Sequence, residues 1–250
     1  SEAFEIKIGG RVGPPELGGR ASGQFLRRTI GWASAGYSWT GDPAHAQKII
    51  EMCGGGRAAP QREISLGSKH LGKGIRTADD ELEHTEMTEH QSLAATALYL
   101  AGDRVDIQTD VSILMQAMSK PRVVDKLRLA RLATCLTAYP QMTWDYPHGD
   151  FPDRIYCEVD AGWAGGLETR RSRDGGYEFF GTYLLDGWAC IQQTVALSTG
   201  ESELYAICNG AARGLWTRAL FRERGSTLSW RSAPTVARPR ALQRAWAAAE

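Results

Sequence analysis

The chain has 250 residues, with 29 Lys plus Arg against 29 Asp plus Glu, so its global charge selects neither an acidic nor a basic partner. At 42% hydrophobic and 23% charged it has the make-up of a globular chain, long enough for one large domain or two small ones. The longest apolar run, residues 93–101, falls well short of the roughly 18–20 residues of a membrane span. Five scattered cysteines with no C-x-x-C pair argue against a disulfide framework or structural zinc and for a reducing compartment. No basic-then-apolar leader precedes them, so an intracellular product, cytoplasmic or nuclear and not secreted, is expected.

In chain order, Phe4, Ile6 and Ile8 alternate with polar residues and predict a short strand before Gly9–Gly10. Asp42 and Pro43 have the N-cap and N1 chemistry of a helix running to Met52, stopped by Gly54 and its glycine neighbours. Residues 54–78 are Gly-rich and irregular. Within them Gly67-x4-Gly72-Lys73 approaches a phosphate loop, but Gly74 stands where the Mg²⁺-binding hydroxyl belongs and no helix follows, so a linker is the better account.

From 88 to 139 the periodicity is helical. Thr88 and Gln91 have capping-box spacing ahead of Leu93, Ala97 and Leu100. Ile107, Val111, Leu114 and Met118 mark a second helix ending before Pro121, and Leu129, Leu132, Leu136 and Tyr139 a third. A small helical subdomain follows from three helices on short connections. Lys120, Arg122, Lys126, Arg128 and Arg131 gather against one nearby acid, Asp125, which suits either phosphate tracking or a solvated face. The acidic stretch 79–89 has no catalytic spacing. His45, His70, His84, His90 and His148 show no metal spacing and are expected at the surface.

Residues 145–154, with Pro147, Gly149 and Pro152, form a turn-rich linker. Beyond it the period becomes two: Ile155, Cys157 and Val159 alternate with Tyr156, Glu158 and Asp160, the pattern of a half-buried strand. Gly175 and Gly176 open a strand over 177–180, and 188–197 make a third. Ser198 and Glu201 then form a capping box for a helix with an apolar stripe of Leu204, Cys208, Ala211, Leu215 and Ala219. The fold class is α+β: a helical N-terminal region (1–144), the linker (145–154), an antiparallel meander of three strands then a helix (155–224), and an Ala/Arg-rich tail (225–250) in which no element clearly completes a sheet. The sharpest chemical pair is Asp160, near a strand end, with Glu203, in the first turn of the helix. Two such carboxylates facing each other are hard oxygen ligands for Mg²⁺. Both are equally ordinary as solvated acids, and Glu203 suits the positive end of the helix.

Several ordered segments carry a resemblance. Val159-Asp160-Ala161-Gly162-Trp163-Ala164-Gly165, Arg170-Arg171-Ser172 with Gly175-Gly176-Tyr177, Val195-Ala196-Leu197-Ser198, and Glu201-Ser202-Glu203-Leu204-Tyr205 resemble the ribonuclease H domain of copia-type LTR retrotransposon Pol polyproteins. That family's pattern runs D-x-D-W-A-G, R-R-S-T-S-G-Y, V-A-L-S and E-A-E-Y. Upstream, Ala97-Leu98-Tyr99-Leu100, Arg104-Val105-Asp106-Ile107 and Met118-Ser119-x-Pro121 resemble the segment that joins it to reverse transcriptase. The resemblance spans about 85–221 and implies a ribonuclease H-like fold, a mixed five-stranded sheet with flanking helices. It also implies two-metal, Mg²⁺-dependent hydrolysis of RNA in RNA–DNA hybrids, with Asp160 and Glu203 as catalytic and metal-ligating residues and the rest of a Pol polyprotein as a further partner. Residues 1–144 would be a distal reverse-transcriptase remnant, with no Y-x-D-D pair for polymerisation.

The departures set the functional expectation. The family's second Asp of D-x-D is Gly162 here, no Asp follows Asp186, and the strand position after the helix, residues 227–230, has no acid. Two of about four carboxylates do not hold two divalent ions against their mutual repulsion, so nuclease activity is expected to be lost or severely impaired. The alternatives are a non-catalytic nucleic-acid-binding module using the basic stretch and an inert translated remnant. The tail's composition suggests truncation or a changed reading frame.

Overall fold

The computed structural model describes residues 10–54, 80–166, 169–223, 225 and 229–234. The strand expected around Phe4–Ile8, the Gly67–Lys73 segment, His70 and most of the tail lie outside the described residues.

Three strands the sequence pattern did not announce come first: β1 (Ser22–Phe25), β2 (Arg28–Ala33) and β3 (Gly36–Thr40). They form consecutive antiparallel hairpins, and β3 pairs with β4 (Thr143–Pro147) across a hundred residues of chain. Residues 145–147, expected in a linker, therefore belong to a strand. Trp144 and Tyr146 alternate with exposed Thr143, Asp145 and Pro147 and turn toward the molecule.

The helical layer follows its predicted starts with one exception. In α1 (Pro43–Met52) Asp42 Oδ1 accepts the Ala44 N–H at 2.9 Å, as Asp-Pro predicts. By contrast, α2 (His84–Ala101) begins a turn before Thr88. The Thr88 hydroxyl donates back to the His84 carbonyl and the Gln91 amide donates to the Met118 carbonyl, so neither residue caps. A 3-10 turn (Val105–Ile107) leads into α3 (Gln108–Gln116), and α4 (Val123–Ala138) closes the layer. Ile49, Ala97, Ile107, Leu114, Leu132 and Leu136 meet in one core. His90 corrects the expectation of surface histidines: it is 3% exposed, neither ring nitrogen has a hydrogen-bond partner, and burial pushes its pKa down.

The second sheet has the order β7-β6-β5-β8. Its strands β5 (Arg154–Gly162), β6 (Arg173–Phe180) and β7 (Tyr183–Ile191) form the expected antiparallel meander, but β6 starts earlier and β7 ends well before Leu197. Gly175 and Gly176 lie inside β6 because the sheet needs them there: a Cβ on Gly176 would stand 2.5 Å from the Trp188 ring. Helix α5 (Thr199–Glu223) then crosses over to β8 (Ser229–Pro234), which pairs parallel with β5. This strand corrects the expectation that nothing after residue 225 completes the sheet.

The largest departure is the orientation of α5. The expected apolar stripe does not face the sheet. Ser202, Ala206, Gly210, Gly214 and Thr217 are the buried residues, while Leu204, Cys208 and Leu215 are exposed. Small side chains bring the helix close enough that a Cβ on Gly210 would sit 2.6 Å from Val159 Cγ1. On the opposite sheet face Arg173 donates to Ser112 Oγ of α3, and Gly187 leaves room for Val105, a Cβ there falling 2.9 Å from Val105 Cγ1.

Candidate functional site

Asp160 and Glu203 take their positions from two periodicities. In β5, Ile155, Cys157 and Val159 are buried, and Cys157 and Val159 pack with Ala206 of α5. Asp160 is offset by one residue, so it projects from the other face and is exposed. In α5 the Ser198 hydroxyl accepts the Glu201 N–H at 3.1 Å, while the Glu201 carboxylate accepts the Leu197 N–H at 2.7 Å and the Tyr205 hydroxyl at 3.0 Å. That is the expected cap. Ser202, not Glu203, is the first-turn residue turned to the sheet; Glu203 is about 100° further round and exposed. Among the described residues neither carboxylate has a hydrogen-bond or ion-pair partner.

A Mg²⁺ centre needs several convergent oxygen donors. Among the described residues no group of three or more His, Cys, Asp and Glu side chains is placed to hold a metal ion. The strand after the helix, β8, runs beside β5 with Arg154 opposite Ser229 and Val159 opposite Pro234, and its sequence Ser-Trp-Arg-Ser-Ala-Pro supplies no acid. The donor set on the described residues does not fit the Mg²⁺ pair that the resemblance implies.

The acids that do lie under α5 are two the sequence reasoning missed. Asp174 and Glu178, four apart on β6, are 3% and 4% exposed and face the helix. Asp174 accepts the Cys190 thiol at 3.0 Å and the Asn209 amide at 2.8 Å. Glu178 Oε2 accepts the Thr217 hydroxyl at 3.1 Å, Oε1 has no partner, and burial pushes its pKa up. Their signal was the period-two placement of polar residues in a strand flanked by aromatic ones. Beside them lies a groove of about 690 Å³ lined by Glu178, Asp186, Asn209, Arg213, Trp216 and Leu220. Arg213 stacks over Trp188 at 4.5 Å and pairs with Asp186 at 3.2 Å.

This cluster braces α5 and does not activate a nucleophile. Burial first, and then the bond to Asp174, push the Cys190 thiol up to about 11. About one molecule in 10⁴ then carries the thiolate at pH 7. Titration of the native chain with a disulfide reagent at pH 8 is expected to modify Cys157 and Cys190 at least about 100-fold more slowly than after denaturant is added. Equal rates for Cys190 before and after denaturation would contradict the packing described.

The basic stretch is largely neutralised within the fold. Lys120 pairs with Glu81 at 3.5 Å and Lys126 with Glu86 at 2.6 Å, so acids just before α2 and in its first turn lie against it. Asp125, fully buried, pairs with Arg128 at 2.7 Å and lies 3.8 Å from Arg122 Nε. Arg131 is half-buried on α4. The expectation of a single acid near these cations is thus corrected: Glu81 and Glu86, about forty residues upstream, join Asp125.

A second cavity, about 270 Å³, lies between the two sheets and is lined by Trp39, Asp103, Trp144, Tyr146 and Leu184 among others. Asp103 is occupied there: its carboxylate takes Arg28 Nε at 2.7 Å and the Trp39 indole at 3.2 Å, and its carbonyl takes the Trp144 indole at 3.1 Å. Next to it, Arg104 is 3% exposed and holds Asp106 through two hydrogen bonds and the Tyr139 carbonyl through a third. Arg104 and Asp106, singled out by the resemblance, thus form a clamp at the start of the 3-10 turn, with Arg104 buried and Asp106 exposed.

No helix among the described residues is long and apolar enough to cross a membrane. No protein-family model matches the chain, and no solved structure matches it. Among curated proteins it is similar to the uncharacterized mitochondrial protein AtMg00810 of Arabidopsis thaliana, with 29% identity over 139 residues. That match covers 55% of this chain, which spans 57% of the relative's length, and the relative's name assigns it no activity.

Proposed function

We propose that the chain derives from a retrotransposon polyprotein and keeps a ribonuclease H-like scaffold without its hydrolytic site. The observation that carries this is the parallel strand β8 laid beside β5 through the α5 crossover. It makes the sheet mixed, as the resemblance leads one to expect, and it arrives without an acid. The scaffold and the missing chemistry are thus read from one element. The similarity to AtMg00810 is compatible with an element-derived product.

Two further points support loss of hydrolysis over altered hydrolysis. Two-metal catalysis needs several carboxylates converging on both ions, whereas Asp160 stands on the β5 face turned from α5 and Glu203 is an exposed residue of α5. The buried acids, Asp174 and Glu178, are already engaged by Cys190, Asn209 and Thr217. Binding of an RNA–DNA hybrid through residues 120–131 is disfavoured because four of the five cations already have acidic neighbours.

The test is cleavage of a labelled RNA–DNA hybrid by the full chain in Mg²⁺, with Asp160→Asn and Glu203→Gln alongside. The expected result is no cleavage above buffer by any of the three. Cleavage by the parent chain that both substitutions abolish would overturn the proposal and show that another chain or segment completes the site. A hybrid gel shift that weakens steeply with salt would instead restore the binding module.

A further inference from the structure

The outward face of α5 is built to meet another helix. Leu204, Cys208, Ala211, Leu215 and Ala219 recur at spacings of four, three, four and four, and at 100° per residue they fall within about 80° of one another. Ser202, Ala206, Gly210 and Thr217 occupy the opposite side and rest on the sheet. The stripe is exposed at Leu204 (56%) and Leu215 (44%), and the strands on which α5 packs are β5, β6 and β8 of the second sheet. Cations and anions are segregated along the same face. Glu201 stands at the N-terminal end, with Arg218 and Arg222 at the C-terminal end. Neither arginine has an acid partner among the described residues.

We infer that this face is an interface between two copies of the chain, with their α5 helices packed antiparallel about a two-fold axis between Ala211 and Ala212. The register follows from the stripe itself. Placing the axis there sets Leu204 of one copy against Ala219 of the other, Cys208 against Leu215, and Ala211 against Ala212, so each large side chain meets a small one. The same rotation brings Glu201 opposite Arg222 and Tyr205 opposite Arg218. A parallel pairing would instead stack Glu201 on Glu201 and Arg222 on Arg222. Both requirements of an isologous contact, complementary size and complementary charge, are met by one sequence read in both directions. The spacing of three and four residues is that of a helix-pair seam. This inference stands apart from the proposed ancestry and does not depend on any nuclease chemistry.

Sedimentation equilibrium of the full chain is expected to give a dimer. Leu215→Glu places a charge in the seam at two symmetric positions and is expected to weaken the dimer about 100-fold or more. Its helical circular dichroism should be unchanged, because Leu215 touches no core. Arg222→Glu, at the rim, is expected to weaken it by about tenfold or less. Leu215→Cys should form an intermolecular disulfide with Cys208 under mild oxidation, and the same variant carrying Cys208→Ser should not. A monomeric parent chain overturns the inference, as does a dimer that survives Leu215→Glu; a dimer without the Cys208 cross-link overturns the antiparallel register.

Discussion

Gly210→Val is expected to lower the thermal midpoint of the chain by about 10 °C, corresponding to a loss of about 3 kcal/mol. The reason lies in how α5 reaches the sheet. A Cβ at 210 would stand 2.6 Å from Val159 Cγ1 and 3.5 Å from Cys157 Cβ, with the Trp188 ring at 3.8 Å. Val159 is 3% exposed and Cys157 fully buried, so neither has space to retreat. Both are short side chains close to the β5 backbone, and the added methyls of valine force the helix off the strand. Lifting α5 there also disturbs Asn209, whose amide holds Asp174. Gly200→Ala is the control, since its Cβ would come no closer than 4.0 Å to the Ser198 hydroxyl. A shift of less than about 2 °C for Gly210→Val by circular dichroism would contradict the close helix–strand approach.

The same helix shows where local pattern misleads. Hydrophobic periodicity singles out Leu204, Cys208, Ala211 and Leu215, and a helix packed on a sheet is normally assigned its apolar stripe as the buried face. Here the buried face is Ser202, Ala206, Gly210, Gly214 and Thr217. Such small residues weigh little on any hydrophobic scale, but they allow close approach, which is what packing against β5 uses. A period-four run of small residues is equally visible in the sequence; what it lacks is a reason to outrank the leucines until the partner surface is known.

Strand alternation fixes the side of the sheet on which Asp160 stands. The pattern that buries Ile155, Cys157 and Val159 puts Asp160 on the opposite face, and the structure keeps it there. A carboxylate on that face is not aimed at a helix that packs on the apolar one. The pairing of Asp160 with Glu203 rested on their places at a strand end and in a first helical turn, and the resemblance then added to it. Legible in full were α1, through Asp42 and Pro43, and the cap at Ser198 and Glu201, because caps are settled within four residues. The first sheet was missed although residues 28–33 and 36–40 are aromatic and β-branched runs with a two-residue spacer, a hairpin signal. Its fourth strand could not be read locally, because β4 owes its place to pairing with β3. The charge balance of α4 is non-local in the same way, since Glu81 and Glu86 reach it from the start of α2.

Within that charge system one residue dominates, and Asp125→Ala is expected to cost about 3 kcal/mol or more. Asp125 is fully buried. One carboxylate oxygen accepts the Arg122 backbone N–H at 2.9 Å, closing the first turn of α4, and the other binds the Arg128 guanidinium at 2.7 Å. Alanine removes the cap and leaves Arg128, only 15% exposed, without its carboxylate. Asp125→Asn separates the two effects: its amide oxygen can still cap, but the charge is gone, so an intermediate loss is expected. Lys126→Ala, which breaks only the exposed contact with Glu86, should leave the melting curve nearly unchanged. Chemical denaturation followed by far-UV circular dichroism checks all three. Near-equal effects of Asp125→Ala and Lys126→Ala would show that α4 is held by its apolar core alone. The ordering alanine, asparagine, then Lys126→Ala would show that part of the run of cations in the sequence secures a helix, with Asp125 as the anion that Arg122 and Arg128 meet.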